Sequence, residues 1–255
     1  MSLQARVRNA DFLSRRMSAA QAAQLIEHGA TLGLSGFTGA GYPKALPQAI
    51  AERARAEHAA GRPFQVNVWT GASTAPEVDG ALAQAGAMAQ RLPFNSDAST
   101  RQQINAGTID YIDMHLSHVA QQAWFGFLGK LDVAIVEVAG ITPDGRLIPS
   151  TAVGNNKTWL EVADKVILEV NTRLPEGIEG MHDIYYGTAL PPRRVPISLT
   201  HADNRIGEPY LQVDLSKVVA VVETHSLDRD NVFAVPDANS ERIAQYIIDF
   251  LVHEM

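Results

Sequence analysis

Cysteine is absent from all 255 residues. That excludes disulfides, a thiolate nucleophile and any cysteine-held zinc, and it fits a chain of the reducing cytoplasm. Basic runs are missing too. Lys and Arg number 21 against 28 Asp and Glu, a net charge of −7, which suits neither nucleic acid nor an anionic membrane surface. An anionic ligand would have to be met locally, by single Arg or Lys side chains or by backbone N–H groups. The opening stretch MSLQARVRNADFLSRRMS holds no apolar core of signal-peptide length. The longest apolar runs, near 133–138 and 218–222, meet glutamates and fall far short of a membrane span. The reading is a soluble chain without membrane partners, internal repeats or low-complexity tracts.

What remains is 46% hydrophobic, enough for a sizeable core. Ser18 followed by Gln21 is a capping-box pattern that opens a helix, with Gly29 beyond it. ATLGLSG then reads as a buried strand, and 44–60 as an Ala-rich helix closed by Gly61. FQVNVWTG (64–71) alternates and reads as a strand, and Pro76 opens a helix predicted to run through Ala89. Shorter elements follow: a helix near 99–105, a strand around 108–111 and a helix near 118–128. LDVAIVEVAG (131–140) is the clearest strand. TPDGRL (142–147) is turn chemistry, and a short helix after Asn156 precedes the strand at 164–171. A long proline-bearing excursion, 172–208, leads to the last strand at 217–224 and an amphipathic helix over 240–253. Strands alternating with helices predict an α/β fold: an open, mostly parallel sheet covered on both faces.

The densest turn chemistry is SGFTGAGYPKALP (35–47). It lacks the Lys-Ser/Thr of a P-loop, and its glycine spacing, G-x-x-G-x-G, is not the dinucleotide fingerprint. It does follow a predicted strand, where parallel sheets bind ligands, and its glycines let backbone approach a carbonyl or carboxylate. A ligand-free tight turn is the alternative. TGASTAPE (70–77) is similar: Gly71 and Ser73 precede a helix, as an anion site or as simple capping. His115 and His118 stand three apart without a third ligand at metal spacing, and read as packing residues. Glu137, Glu169 and Glu223 sit on apolar strands, where a carboxylate must be paired or have a raised pKa; structural pairing is the commoner outcome. Arg229, in DRDN (228–231), is a candidate for an acidic substrate group, or else fixes its own loop through Asp228 or Asp230. No G-x-S-x-G elbow is present.

The stretch HGATLGLSGFTGAGYP resembles the first signature of class I coenzyme A transferases, with Gly36, Phe37, Gly41 and Pro43 in place and Ser35 replacing the first glycine of a pair. That replacement is typical of the acetyl-CoA hydrolase/transferase branch. TGAS, RLPFNSDASTRQQINAG, DMHLSHVAQ, VGNNKTWLEVADKVILEVN and VVAVVETHSLDRDNVF are similar to the amino-terminal half of that branch, so the resemblance spans 15 to the final helix. It implies two similar open α/β domains with the site between them. It also implies a ping-pong transfer through a glutamyl-CoA thioester, without metal or redox cofactor, and a homodimer at full length. The succinyl-CoA:acetate transferases and acetyl-CoA hydrolases are the nearest in kind. In the family the catalytic glutamate lies in the carboxyl-terminal domain, so no catalytic residue is assigned here. By the same resemblance Gly36, Phe37, Thr38, Gly39, Gly41, Gly71 and Ser73 would border the acyl or carboxylate site, and Arg229 would face the substrate. The expected organisation is a domain over 1–235 and a helix, 236–255, leading to a carboxyl-terminal domain absent from this sequence. A standalone module that binds CoA or a small anion is the rival.

Overall fold

The computed structural model describes residues 2–72, 74–187, 192–230 and 233–254. Ser73, one of the expected site residues, lies outside them. Two short helices, α1 (Leu3–Arg6) and α2 (Ala10–Leu13), precede α3 (Ala19–Ala23), which Ser18 and Gln21 open with the reciprocal capping box. Then follow β1 (Thr31–Leu34), α4 (Ala45–Ala59), β2 (Val66–Thr70), α5 (Asp79–Gln84), β3 (Met88–Leu92), α6 (Ala98–Asn105) and β4 (Asp110–Tyr111). The second half runs α7 (Leu116–Trp124), β5 (Val133–Ile141), β6 (Leu147–Pro149), α8 (Asn156–Val162), β7 (Lys165–Asn171), β8 (Val218–Thr224) and α9 (Ala238–Glu254).

Seven strands form one sheet in the order β4-β3-β2-β1-β5-β7-β8, all pairs parallel, and β6 joins β5 antiparallel. Every residue of β5 is buried, which is why it reads as one apolar run rather than an alternation. The two faces still sort with period two. Val133, Ile135 and Ile167 face a core shared with Ile26, Leu46 and Ile50, and Ala134, Val136 and Leu168 face one shared with Phe12, Trp69 and Trp159. From β1 the chain winds outward through β2 to β4, and from β5 in the other direction to β8. The switch point lies between β1 and β5, where open parallel sheets place ligands beyond the strand ends.

The structure departs from the sequence reading in two places. The helix expected from Pro76 through Ala89 is only α5; Gly86, at φ +63°, ends it, and Met88–Leu92 enters the sheet. The turn expected at 142–147 forms, and the residues after it add β6, a strand the sequence reading did not contain. The amphipathic helix expected over 240–253 is present as α9, and none of its residues is buried. Among the described residues no helix is long and apolar enough to cross a membrane.

Candidate active site

The loop after β1 leaves the sheet at the switch point and is shaped by backbone that side chains would obstruct. Gly36 has φ +118°, and a Cβ there would lie 2.8 Å from Tyr42 Cβ. Gly41 has φ +65°, and a Cβ there would lie 2.8 Å from both Ala152 N and Ser150 Oγ. Between them Phe37 and Ala40 exchange backbone bonds of 2.9 and 3.0 Å across a two-residue turn. Both central residues, Thr38 (φ 47°) and Gly39 (φ 88°), are left-handed, as a tight hairpin turn demands. A β-branched residue there is strained. The turn projects Phe37 into solvent at 42% exposure, large for a phenylalanine beside a buried core.

Ser35, the residue in place of glycine, ties this loop to the sheet. Its hydroxyl donates to Gly41 O at 2.8 Å and accepts from Glu137 N at 2.9 Å.

The loop after β2 approaches from the side. A Cβ on Gly71 would sit 3.0 Å from Gly36 O, so the two loops touch backbone to backbone. A fully buried ion pair braces it from below: Arg91 Nε meets Asp79 Oδ1 at 2.8 Å, with both side chains at 0% exposure. Arg91 also donates to Ala72 O at 3.3 Å, while Thr74 donates its N–H and hydroxyl to Asp79 at 3.1 and 2.9 Å. The pair therefore holds both flanks of the undescribed Ser73.

Beneath the first loop lies a second buried charge cluster. Lys44 Nζ, on a residue 7% exposed, meets Glu137 at 2.6 Å, Asp228 at 2.8 Å and Tyr42 O at 2.8 Å. Those three contacts use all three ammonium donors. Glu169 accepts from the backbone N–H groups of Lys44, Ala45 and Leu46 at 2.6–2.9 Å, capping α4 with a side chain from β7. Burial pushes Glu137 up to about 8, against the pull of Lys44 and with the Glu169 and Asp228 charges adding to the rise. Burial also raises Glu169, opposed by the helix N–H groups, and lifts the Tyr42 phenol to about 12. Both strand glutamates are thus structural anchors. Glu223, the third, pairs with Arg16 at 2.9 Å at the surface.

A cleft of about 430 Å³ opens above these loops, lined among others by Thr38, Gly39, Thr74, Phe94, Asp97 and Arg229. Of the expected residues, the structure brings Thr38, Gly39 and Arg229 into it. Gly36, Gly41 and Gly71 lie buried behind it as close-approach positions, and Phe37 stands on the exposed turn. Asp228 does not pair with Arg229; it goes to Lys44, and among the described residues the Arg229 side chain has no hydrogen bond or ion pair. His115 and His118 pack edge to face, ring centres 5.6 Å apart.

Sequence reasoning missed Lys44, Asp228, Asp79 and Arg91 as a supporting frame. The available signal was a lone cation inside an apolar context, Lys44 in YPKALP and Arg91 in MAQRLP, since such a cation requires a buried partner.

Comparison with known proteins agrees with this architecture. A family model described as the acetyl-CoA hydrolase/transferase N-terminal domain matches residues 1–223. A propanoyl-CoA:succinate CoA transferase of Escherichia coli (strain K12) is 42% identical over 94% of this chain and 49% of its own. A succinyl-CoA:acetate CoA-transferase of Clostridium kluyveri is 40% identical over 98% of this chain and 46% of its own. An acetyl-CoA hydrolase of Schizosaccharomyces pombe is 34% identical over 99% and 49%. The chain spans about half the length of these curated relatives. Among solved structures, RipA from Yersinia pestis superposes with a TM-score of 0.65 at 19% identity, over 94% of this chain and 49% of that one, which speaks to the fold alone. Matched along most of its length by that model and by these relatives, the chain belongs to the acetyl-CoA hydrolase/transferase family.

Proposed function

We propose that this chain forms the amino-terminal half of a CoA-transferase that moves CoA between small carboxylates, with acetate and succinate as the pair. The observation that carries the reading is the cleft over the loops that follow β1, β2 and β3. There a glycine-shaped loop and the loop after β2 meet beneath Arg229, whose guanidinium is uncommitted among the described residues. A planar guanidinium pairs bidentately with a carboxylate. In this proposal the chain supplies one wall of the site: Thr38 and Gly39 border the acyl group, Gly71 backs them, and Arg229 receives the carboxylate.

The covalent step belongs to a glutamate outside these 255 residues. Its carboxylate attacks the acyl-CoA thioester carbonyl and CoA leaves as thiolate. The thiolate then attacks the resulting anhydride at the glutamyl carbon, releasing the first carboxylate and leaving a glutamyl-CoA thioester. The acceptor carboxylate takes over CoA by the reverse steps. Full burial of Glu137 and Glu169, each engaged by cations or backbone N–H groups, supports placing the nucleophile elsewhere. The reaction needs no metal or redox group, the CoA thioester being substrate. The partners are acyl-CoA, small carboxylates and the enzyme's carboxyl-terminal domain, with a homodimer as the full-length form.

The test is to supply the protein as its gene encodes it with succinyl-CoA and acetate, and to follow acetyl-CoA. Acetate-dependent formation of acetyl-CoA is expected, and thioester loss independent of added carboxylate would replace transfer by hydrolysis, the activity named for several relatives. Borohydride reduction of the trapped thioester should modify a glutamate beyond residue 255; modification within 1–255 overturns the assignment.

A further inference from the structure

The segment that carries Arg229 is stitched to the glycine loop residue by residue. Gly41 N–H donates to both oxygens of Asp228, at 3.3 and 3.2 Å. Tyr42, 1% exposed, offers its phenol oxygen to the backbone N–H of Arg229. Lys44 Nζ, 4.2 Å from the centre of the Tyr42 ring, reaches Asp228 Oδ1 at 2.8 Å. From a third loop, beyond β6, the Thr151 hydroxyl donates to Asp228 Oδ2. One carboxylate therefore joins the loops that follow β1, β6 and β8, and the cation that holds it is itself fixed to the middle of the sheet through Glu137 at 2.6 Å.

Asp228 contributes no lining to the cleft; its neighbour Arg229 does. Arg229 is exposed, and with no hydrogen bond or ion pair on its guanidinium among the described residues, its location is set by its backbone. A long side chain of this kind loses much rotamer freedom when it engages a ligand. A fixed Cα reduces what must be ordered at that moment.

We infer that Asp228 is a positioning residue: clamped by Lys44, Gly41 and Thr151, it fixes the backbone of Arg229 over the cleft and so sets the affinity for the substrate carboxylate without touching the substrate. The inference rests on the CoA-transferase reading for its kinetic arm only. It adds to that reading a specific link between the sheet's buried Lys44–Glu137 pair and the substrate-facing arginine.

Two measurements on the protein as its gene encodes it decide the matter. The first is independent of activity: limited trypsin digestion, with cleavage at Arg229–Asp230 followed by mass. The clamp should keep this bond resistant in the unaltered protein, and Asp228→Ala should speed cleavage there about tenfold, as expected when a charge-assisted contact is lost. Equal rates at this bond overturn the inference, whatever the protein catalyses. The second is kinetic. Asp228→Ala should raise KM for the acceptor carboxylate about tenfold while kcat changes less than about threefold, and Asp228→Asn should recover part of the loss. In an Arg229→Ala background the same substitution should leave KM unchanged, because a residue acting through Arg229 has nothing left to position. A full effect persisting there overturns the inference. Absence of any acetate-dependent transfer in the unaltered protein strikes the functional reading instead, and the trypsin result still stands on its own. Should Asp228→Ala fail to fold, Thr151→Val removes one arm of the clamp and should shift both measurements in the same direction by a smaller factor.

Discussion

Glu137 and Glu169 stand side by side, in register on the adjacent parallel strands β5 and β7, and both are wholly buried. Two like charges at that spacing would repel strongly in a medium of low dielectric. The fold answers each differently. Glu169 is met by the first N–H groups of α4, so the helix is docked by the sheet; Lys44, at its N-cap, makes no side-chain cap bond. Glu137 is met by the Lys44 ammonium and by Asn171 at 3.1 Å, while its second oxygen has no partner among the described residues.

The first prediction concerns stability against pH. Burial raises Glu137 from 4.5 to about 8, so between those values the folded state binds a proton that the unfolded state has released. Stability from this group is complete below about pH 4.5 and is lost as pH rises through about 8. Across that window its contribution to the slope is toward one proton taken up on folding. Glu137→Gln removes it. Urea melts at several pH values should show a flatter profile for the variant between pH 5 and about 8, and parallel profiles would disprove the assignment.

The buried pair under the second loop predicts an asymmetric cost. Arg91→Met leaves the Asp79 carboxylate buried beside Thr74 without its cation, and should destabilise by about 3–5 kcal/mol. Asp79→Asn keeps a carbonyl acceptor for Thr74 but leaves the Arg91 guanidinium, which cannot shed its charge, buried without a counter-ion, and should cost more. Denaturant midpoints compare the two, and the reading fails if Asp79→Asn is the milder.

How much of this was legible beforehand divides along physical lines. Strands β1, β2, β5, β7 and β8 were readable because apolar and β-branched runs leave little choice. The capping box at Ser18 was readable because it is local chemistry. Strand β3 was not: MAQRL has no alternation, since Arg91 points inward to an ion pair and two of its neighbours are half-buried. Likewise the loop over 35–44 announced itself by its glycines, yet its frame did not. Lys44 finds Glu137 and Asp228 at sequence separations of 93 and 184, and no local pattern encodes such pairings. Arg229 was a candidate from its place after the last strand, with Asp228 and Asp230 as rival partners, and its freedom from Asp228 emerged only with the fold.

The turn at Phe37–Ala40 should separate strain from obstruction. Thr38 occupies φ 47° on an open tip, so Thr38→Gly should relieve strain and stabilise by about 1 kcal/mol. Gly39→Ala meets no atom within 4 Å and should cost about 1 kcal/mol, through its positive φ alone. Gly41→Ala adds a collision with Ala152 backbone and should cost more than Gly39→Ala. Thermal melts of the three variants check that order, and equal losses at Gly39 and Gly41 would disprove the close approach.

The last prediction comes from α9. Over Ala238–Glu254 no residue is buried, and Ile243, Tyr246, Ile247, Phe250 and Leu251 are each 49–65% exposed along one stripe. A helix of this length is marginal in water without a packed apolar face, and an uncovered stripe favours association. Expressed as these 255 residues, the chain should therefore self-associate through α9. Sedimentation velocity should show concentration-dependent oligomers, and Ile247→Lys with Phe250→Lys should return the chain to monomer without loss of the sheet's thermal transition. Those two positions lie three apart on one helical face, so the lysines break the stripe while leaving the core untouched. Association that survives the double substitution would place the contact elsewhere, for instance on the exposed arm bearing Val195, Ile197 and Leu199.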